Sequence, residues 1–302
     1  VEQQQLGARW RQPLGEAHEL ALVAWAGRRQ TFQVLSVPVA AQASPTSGGG
    51  VIDLDRDYAG ADLRWSWQPV EAISLTAGLL HERADEIRRG FENFVGTRLG
   101  VVGALRRDED NRVTGDDAYL QLDWALAERW RLSAGLRHSQ VRFRSRDRYV
   151  APGNPDDSGA LRFTRTTPVL GLLYEAGSDW QLYANAGSGF ETPTFAELAY
   201  RADGGSGLND ALRPARSRHV ELGARGQRDG LRWDVALFTA RTEDELVVLA
   251  SQGGRTVFAN AGLTRRRGAE LSFDWRLAPD WRLAASATWL DARHRRDVCS
   301  AP

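Results

Sequence analysis

The chain has 302 residues, with 39 basic and 39 acidic side chains and a formal net charge of zero, which excludes the strongly basic surface typical of a nucleic-acid-binding protein. Its single cysteine, Cys299, excludes a disulfide framework and a thiolate metal site. The mean hydropathy is −0.43. The sequence has no run of about 18 consecutive apolar residues, the length that would predict a membrane helix. Neither fact excludes a membrane β-barrel, whose lipid-facing residues alternate with polar interior ones.

The clearest feature along the chain is an alternation of apolar and polar residues, which predicts β-strands. Between residues 130 and 137, Trp130, Leu132 and Leu136 fall on one face, and Arg131 and Arg137 fall on the other. Such runs are long enough to match the roughly 9–11 residues that a tilted strand needs to cross a bilayer. The same alternation occurs in segments 120–126, 180–187, 231–237, 269–275 and 281–289.

Short polar turns join these strands in pairs, and longer irregular segments separate the pairs. The predicted turns lie near residues 13–15, 68–72, 127–129, 177–179, 226–230 and 278–280. The predicted long loops are 36–50, 86–116, 145–160, 188–215 and 242–266. Short turns at one end and long loops at the other are typical of outer-membrane barrels, and six turns predict about twelve strands.

Two soluble folds share part of this pattern. A β-propeller repeats at about 40–50 residues, but it needs four short strands in each repeat. A soluble β-sandwich also alternates, although its strands usually have about 5–6 residues. Tryptophans near the short turns favour a membrane barrel, because indoles prefer the membrane interface; they are Trp67, Trp124, Trp130, Trp180, Trp275 and Trp281. The predicted fold class is therefore all-β, an antiparallel transmembrane β-barrel.

The alternation also predicts which face meets lipid. The face without charges should point outward, because an arginine there near the bilayer midplane would cost about 2–4 kcal/mol. The other face should line a large polar interior. Its charged residues are Asp123, Arg131, Arg137, Glu221, Arg225, Asp234, Glu270 and Asp274.

Three ordered motifs then give the sequence a family resemblance. The first contains Gly189, Phe190, Pro193, Glu197 and Leu198; the second contains Pro214, Ser217, Glu221 and Gly223; the third contains Asn260, Gly262, Arg267, Gly268 and Glu270. They resemble the Gly-Phe-x-x-Pro-x-x-x-Glu-Leu, Leu-x-Pro-Glu-x-Ser…Glu-x-Gly and Asn-x-Gly…Arg-Gly-x-Glu motifs of TonB-dependent receptors. Ala215 stands where the family usually has glutamate. These motif residues are interpreted as structural.

Segments 92–94, 106–109 and 117–121 look like those of the ferric-dicitrate siderophore receptors within that family. The resemblance implies a 22-stranded barrel closed by an N-terminal plug in the outer membrane of a Gram-negative bacterium. It also implies TonB-driven uptake of a ferric siderophore or ferric citrate-like chelate. The implied partners are this ligand, the TonB complex and outer-membrane lipid, with no nucleic acid and no cofactor.

Residues 1–302 are expected to form part of a single barrel domain. The plug, the TonB-contacting segment and the last strands are expected to lie outside the sequence, because it starts at Val1 and ends at Pro302 in a loop-like stretch. About twelve strands cannot close a 22-stranded barrel, and a bilayer does not tolerate unpaired strand edges. We therefore expect this chain not to function by itself.

A ferric chelate is often anionic, so its binding residues should include arginine, which grips carboxylates with two hydrogen bonds. The candidates come from the predicted long loops. They are Arg144, Arg146, Arg148 and Tyr149 on one loop, Tyr200, Arg201 and Asn209 on the next, and Arg241 and Arg255 on a third.

Other functions remain open at this stage. A passive or differently gated channel would share the barrel, and a related receptor could import haem, cobalamin, a saccharide or a non-iron metal chelate. The resemblance disfavours haem, because haem receptors of the family carry a histidine between the first and second motifs, whereas this sequence has no histidine between Phe190 and Pro214. An enzyme is not predicted, because the sequence lacks the His-Glu-x-x-His, Gly-x-Ser-x-Gly and phosphate-binding-loop motifs.

Overall fold

The computed structural model describes residues 1–203, 205, 207–252 and 255–294, so Cys299 lies outside the described residues. The elements in chain order are β1 (Glu2–Pro13), β2 (His18–Val34), α1 (Val39–Gln42), β3 (Val51–Val70), β4 (Ile73–Phe91), β5 (Phe94–Val95), β6 (Arg98–Leu99), β7 (Leu105–Ala127), β8 (Trp130–Asp147), β9 (Gly159–Glu175), β10 (Trp180–Glu191), α2 (Phe195–Leu198), β11 (Ala215–Arg228), β12 (Leu231–Gln252), β13 (Arg255–Ala278) and β14 (Trp281–His294).

Twelve of the strands form one sheet in which each strand pairs with the next long strand of the chain. The order is β1-β2-β3-β4-β7-β8-β9-β10-β11-β12-β13-β14, and β5 pairs only with β6. The pairings are antiparallel. The predicted fold class and the predicted number of strands are both confirmed.

The six short connections lie where the sequence predicts them. The turn between β11 and β12 shows the local reason, since Asp229 and Gly230 have φ values of 48° and 78°. Two adjacent residues with positive φ make the two-residue hairpin turn that matches the twist of the flanking strands, and Asp-Gly is a preferred pair for it. The chain can therefore reverse within two residues.

The predicted long loops are too long in several places. Segment 86–116 contains only one irregular connection, 92–104, because β4 continues to Phe91 and β7 starts at Leu105. Segment 242–266 is wrong as a loop, since β12 continues to Gln252 and β13 begins at Arg255. The alternation fades beyond the lipid-facing part of each strand because both faces become polar there, whereas the backbone pairing continues.

The sheet has two distinct faces, which we call inner and outer. The inner face is the one on which connection 192–214 packs, and the outer face is the opposite one. Large apolar side chains on the outer face are strongly exposed, including Leu79 (61%), Leu222 (56%) and Leu237 (58%). Trp130 and Trp281 also lie on the outer face beside short turns. An exposed apolar band on this scale marks a surface made for a nonaqueous environment.

Two irregular connections at the long-loop end are joined through buried amides. Gln42 is fully buried, and its Nε2 donates to Asn93 Oδ1 at 2.7 Å. Asn93 in turn donates through Nδ2 to the backbone oxygens of Leu35 and Val37 at 2.9 and 3.1 Å. Connections 35–50 and 92–104 therefore form one unit. No helix within the described residues is long and apolar enough to cross a membrane.

Candidate functional site

The site starts where β10 ends, because connection 192–214 turns back over the inner face. Helix α2 is fixed by a capping box between Thr194 and Glu197. The backbone N–H and the hydroxyl of Thr194 donate to Glu197 Oε2 at 2.7 and 2.9 Å. Such a pairing satisfies donors that the start of a helix leaves without partners. Pro193, directly before it, is fully buried.

A small apolar core holds this connection against the sheet. Leu198, Leu208 and Leu212 are buried together with Phe143 from the inner face of β8. The rings of Phe143 and Phe195 meet edge to face with centroids 5.2 Å apart, an arrangement that aromatic pairs favour. The connection is thus packed on the sheet like part of a protein core.

Two asparagines add polar ties to the same connection. Asn209 donates through its backbone N–H to the Leu198 oxygen at 2.8 Å, and its side chain is almost fully buried. Asn260 on β13 donates through Nδ2 to the backbone oxygens of Arg213 and Asp244, both at 2.7 Å. Its Oδ1 accepts from the Arg213 backbone N–H at 2.8 Å. These bonds satisfy the backbone of an irregular segment, which otherwise costs free energy when buried.

Two arginines, Arg107 and Arg201, bond to the middle of connection 192–214. The Arg107 guanidinium donates to the Tyr200 hydroxyl at 2.7 Å and lies 5.3 Å from the centre of its ring. Arg201 forms ion pairs with Asp203 and Asp210 at 2.9 and 2.6 Å. Its hydrogen bonds lower the pKa of Asp203 to about 2, so this ion pair stays charged at neutral pH.

A cavity of about 580 Å³ lies between this connection and the inner face of strands β2, β3, β4, β7 and β8. Connection residues Thr192–Ala196 form one side of it. Arg29, Arg56 and Arg88 line the sheet side, with Glu86 as the one acidic lining residue. Arg56 donates through Nε to Glu86 Oε2 at 2.9 Å. Within the described residues, neither Arg29 nor Arg88 has an ion pair, so the cavity carries an excess of positive charge.

The comparisons with known proteins agree with this architecture. Residues 3–299 match the family described as TonB dependent receptor-like, beta-barrel. The chain belongs to this family. It is 28% identical to the pesticin receptor of Yersinia enterocolitica over 166 residues. These aligned residues make up 54% of this chain and 24% of that protein. The matched segment covers about a quarter of the length of these curated relatives.

Solved structures show the same fold. The copper transporter OprC superposes with a TM-score of 0.79 at 18% identity, over 97% of this chain and 47% of that one. The ferric citrate transporter FecA in its unliganded form superposes with a TM-score of 0.71 at 18% identity, over 98% of this chain and 43% of that one. Together with the curated relatives, the family match places this barrel in the outer membrane of a Gram-negative bacterium and among receptors rather than enzymes.

The family-motif residues lie on and around strands β10 to β13. The first motif supplies Pro193, Glu197 and Leu198 to the start of the packed connection. Gly189 lies so close to Ser217 that a Cβ on it would be 2.3 Å from Ser217 Oγ. The remaining motif residues lie on strands β10 to β13 or just before β11; they are Phe190, Pro214, Glu221, Gly223, Gly262, Arg267, Gly268 and Glu270.

The predicted ligand-binding residues of this receptor-like barrel do not lie together. Tyr200, Arg201 and Asn209 are on the packed connection, where Tyr200 accepts a hydrogen bond from Arg107 on β7, and Arg201 and Asn209 bond to Asp210 and the Tyr200 backbone oxygen of the connection itself. Arg148 pairs with Asp110, and Tyr149 donates its backbone N–H to Asp147 at 2.9 Å. Strand register places Arg144, Arg146 and Arg241 on the outer face, away from the cavity. Arg255 begins β13, and its side chain lies outside the described residues.

Sequence reasoning missed the arginines that line the cavity, because it searched only the predicted loops. Arg29, Arg56 and Arg88 lie within strands β2, β3 and β4. The sequence did contain a signal for them. Arg56, Asp62 and Arg64 are all at even-numbered positions of β3, so their side chains point to the same face, the inner one. Within the part of the chain that the structure describes, no group of three His, Cys, Asp or Glu residues could hold a metal ion.

Proposed function

We propose that this receptor binds an anionic ferric chelate, of the ferric siderophore or ferric citrate type, and imports it across the outer membrane with energy from the TonB complex. The observation that carries the proposal is the cavity on the inner face, where Arg29 and Arg88 have no acidic partner among the described residues. A guanidinium group binds a carboxylate through two parallel hydrogen bonds. The cavity therefore suits a ligand rich in carboxylates.

The cavity also offers groups for the uncharged parts of such a ligand. Asn111 is buried, and its Oδ1 has no hydrogen-bond partner among the described residues. It can accept a hydrogen bond from a ligand hydroxyl. Phe143 and Phe195 supply an apolar side. A few polar groups in a partly apolar cavity are typical of small-molecule sites.

The relatives support uptake of a ferric chelate in general, whether that chelate is anionic or neutral. A ferric citrate transporter shares the fold, and a curated relative is named as a ferrichrome receptor of Yersinia enterocolitica. The plug and the TonB contact belong to the proposal as well, as does the assignment of residues 1–302 to a single barrel domain. The coupling to TonB distinguishes the proposal from a passive channel.

Uptake of radiolabelled iron tests the proposal. We would express the full-length receptor in iron-limited cells that lack their own copy, and supply iron as citrate or as a neutral hydroxamate chelate. For the Arg29→Gln/Arg88→Gln variant we expect the KM for ferric citrate to rise about ten-fold or more, as expected for loss of charge-assisted hydrogen bonds. The maximal rate should stay close to that of the unmodified receptor.

The matched control is Arg131→Gln, which removes an arginine from the inner face near a short turn and outside the cavity. It should leave the KM unchanged. Collapse of the proton-motive force should stop uptake; uptake that continued would identify a passive channel instead. An unchanged KM in the double variant, or preference for the neutral chelate, would contradict the anionic ligand.

A further inference from the structure

Four arginines on the outer face lie side by side across four neighbouring strands. Arg218 on β11 pairs in register with Arg241 on β12, Arg241 pairs with Arg265 on β13, and Arg265 pairs with Arg293 on β14. All four side chains are exposed. We call them the arginine row. With strands about 4.8 Å apart, the row extends over about 14 Å.

The arginine row has too few acidic neighbours to neutralise it. Arg293 pairs with Asp291 at 2.7 Å, and Arg241 lies 4.0 Å from Glu243. Asp291 is shared, because it also pairs with Arg267 at 2.9 Å. Among the described residues, Arg218 and Arg265 form no ion pair. Like charges directly opposite each other on a sheet are destabilising, so the arrangement calls for an anion from outside the chain.

On strands β2, β3, β4 and β7, the outer face at a similar height carries a different arrangement of charges. There Arg28 pairs with Asp55 through Nε at 2.9 Å, and His81 contacts Asp116 at 2.7 Å. Arg83 pairs with Asp85 at 2.6 Å. Positive and negative charges alternate on that part of the outer face, whereas the arginine row concentrates positive charge on β11 to β14. The excess of positive charge is therefore local.

The height of the arginine row matches the edge of a membrane. Arg241 is ten residues beyond Leu231, the first residue of β12. Ten residues rise about 33 Å along a strand, or about 25 Å along the barrel axis at a usual tilt, which is the height of the lipid-facing band in such barrels. Below the row lie Leu222, Leu237 and Trp289, each more than half exposed. The row thus lies where lipid headgroups begin.

We propose that the arginine row binds the phosphate groups of an outer-leaflet glycolipid of the lipid A type, whose acyl chains cover the apolar residues below. Guanidinium groups bind phosphates with two hydrogen bonds and stay charged at any physiological pH. A row about 14 Å long, four strands wide, can hold two phosphate groups of one headgroup. The apolar band continuous with the row selects a lipid over a soluble phosphate.

The test uses the full-length receptor purified in detergent and measures bound lipid by native mass spectrometry. The probes are diphosphoryl lipid A, monophosphoryl lipid A and inorganic phosphate. We expect the unmodified receptor to bind the diphosphoryl form more tightly than the monophosphoryl form. The variant Arg218→Gln/Arg265→Gln should bind the diphosphoryl form more weakly by about five-fold for each arginine removed.

Two further variants keep the result interpretable. Arg129→Gln/Arg228→Gln removes two arginines at the short-turn end and should bind lipid A normally. Arg218→Lys/Arg265→Lys keeps the charge and should restore most of the binding. Equal binding by the glutamine variant and the unmodified receptor would overturn the proposal. So would a loss of binding in the short-turn variant as large as that in the glutamine variant, or a lysine variant that binds no better than the glutamine variant. Full competition by inorganic phosphate at equal concentration would overturn it as well.

Discussion

The ring of Tyr119 lies against Gly78, its direct partner across the β4–β7 pair, so closely that a Cβ on Gly78 would be 2.2 Å from Tyr119 Cζ. The tyrosine crosses β4 at this point and reaches β3, where its hydroxyl donates to Asp62 Oδ1 at 2.8 Å. Tyr58 crosses Gly27 in the same way and donates to Gln5 on β1 at 3.0 Å. Each glycine thus lets one aromatic side chain connect three strands on the inner face.

Gly78→Ala should destabilise the barrel because the new methyl group would displace the Tyr119 ring and break its bond to Asp62. Overpacking of this kind costs about 1–3 kcal/mol. Urea unfolding of the full-length protein in detergent micelles, followed by tryptophan fluorescence, measures the change. Gly115→Ala is the control, since a Cβ on Gly115 would meet no atom within 4 Å. Equal stability of the two variants would show that the contact contributes nothing.

Leu237→Arg should strongly destabilise the protein in a bilayer. Leu237 lies on the outer face among the apolar residues and is 58% exposed. An arginine facing lipid near the midplane costs about 2–4 kcal/mol. Folding into lipid vesicles at increasing urea concentration gives the free energy. Ser272→Arg, on the inner face opposite Asp234, should cost far less, and a similar loss in both variants would disprove the assignment of the faces.

Leu198→Ala should loosen connection 192–214. Leu198 is fully buried in the core with Phe143, Leu208 and Leu212, and truncation of such a leucine costs about 2–5 kcal/mol. The connection should therefore open locally, which faster hydrogen exchange in residues 192–203 would report. Leu99→Ala is the control, because Leu99 is 67% exposed. Unchanged exchange in the Leu198 variant would mean that the connection is held by its hydrogen bonds.

Asn260→Asp should detach the end of the same connection from β12 and β13. The carboxylate cannot donate to the oxygens of Arg213 and Asp244, and it places negative charge against both. We expect faster hydrogen exchange around residues 207–214. Asn154→Asp removes a bond to the Tyr149 oxygen in another connection, so it should loosen residues 148–158 and leave 207–214 protected. Faster exchange in residues 148–158 of the Asn260 variant, or in residues 207–214 of the Asn154 variant, would contradict the assigned hydrogen bonds.

Prediction from the sequence worked where the signal was local. The alternation in 130–137 gave both a strand and its two faces, because side chains in a strand point alternately to opposite sides. The turn at Asp229 and Gly230 was predictable because few residues adopt positive φ. The strand ends were poorly predicted at β12 and β13, since backbone hydrogen bonds continue there after the apolar pattern has ended.

The candidate site was less predictable, because it depends on contacts between distant residues. Arg213 and Asn260 meet although they are 47 residues apart in sequence, and this contact helps to fold the connection inward. Nothing in the local pattern of residues 192–214 says on which face of the sheet it packs. The ligand candidates taken from the loops therefore did not include Arg29 and Arg88 from the strands.

The sequence by itself determined the strands, their short turns and the apolar outer band, because period-two alternation and turn propensity act between near neighbours. Only the tertiary structure decided which charges meet. Arg218, Arg241, Arg265 and Arg293 form a row because three successive strand pairings place them directly opposite one another, and a shift of one residue in any pairing would break it. The inner cavity likewise exists only because a remote connection packs over strands whose arginines share one face.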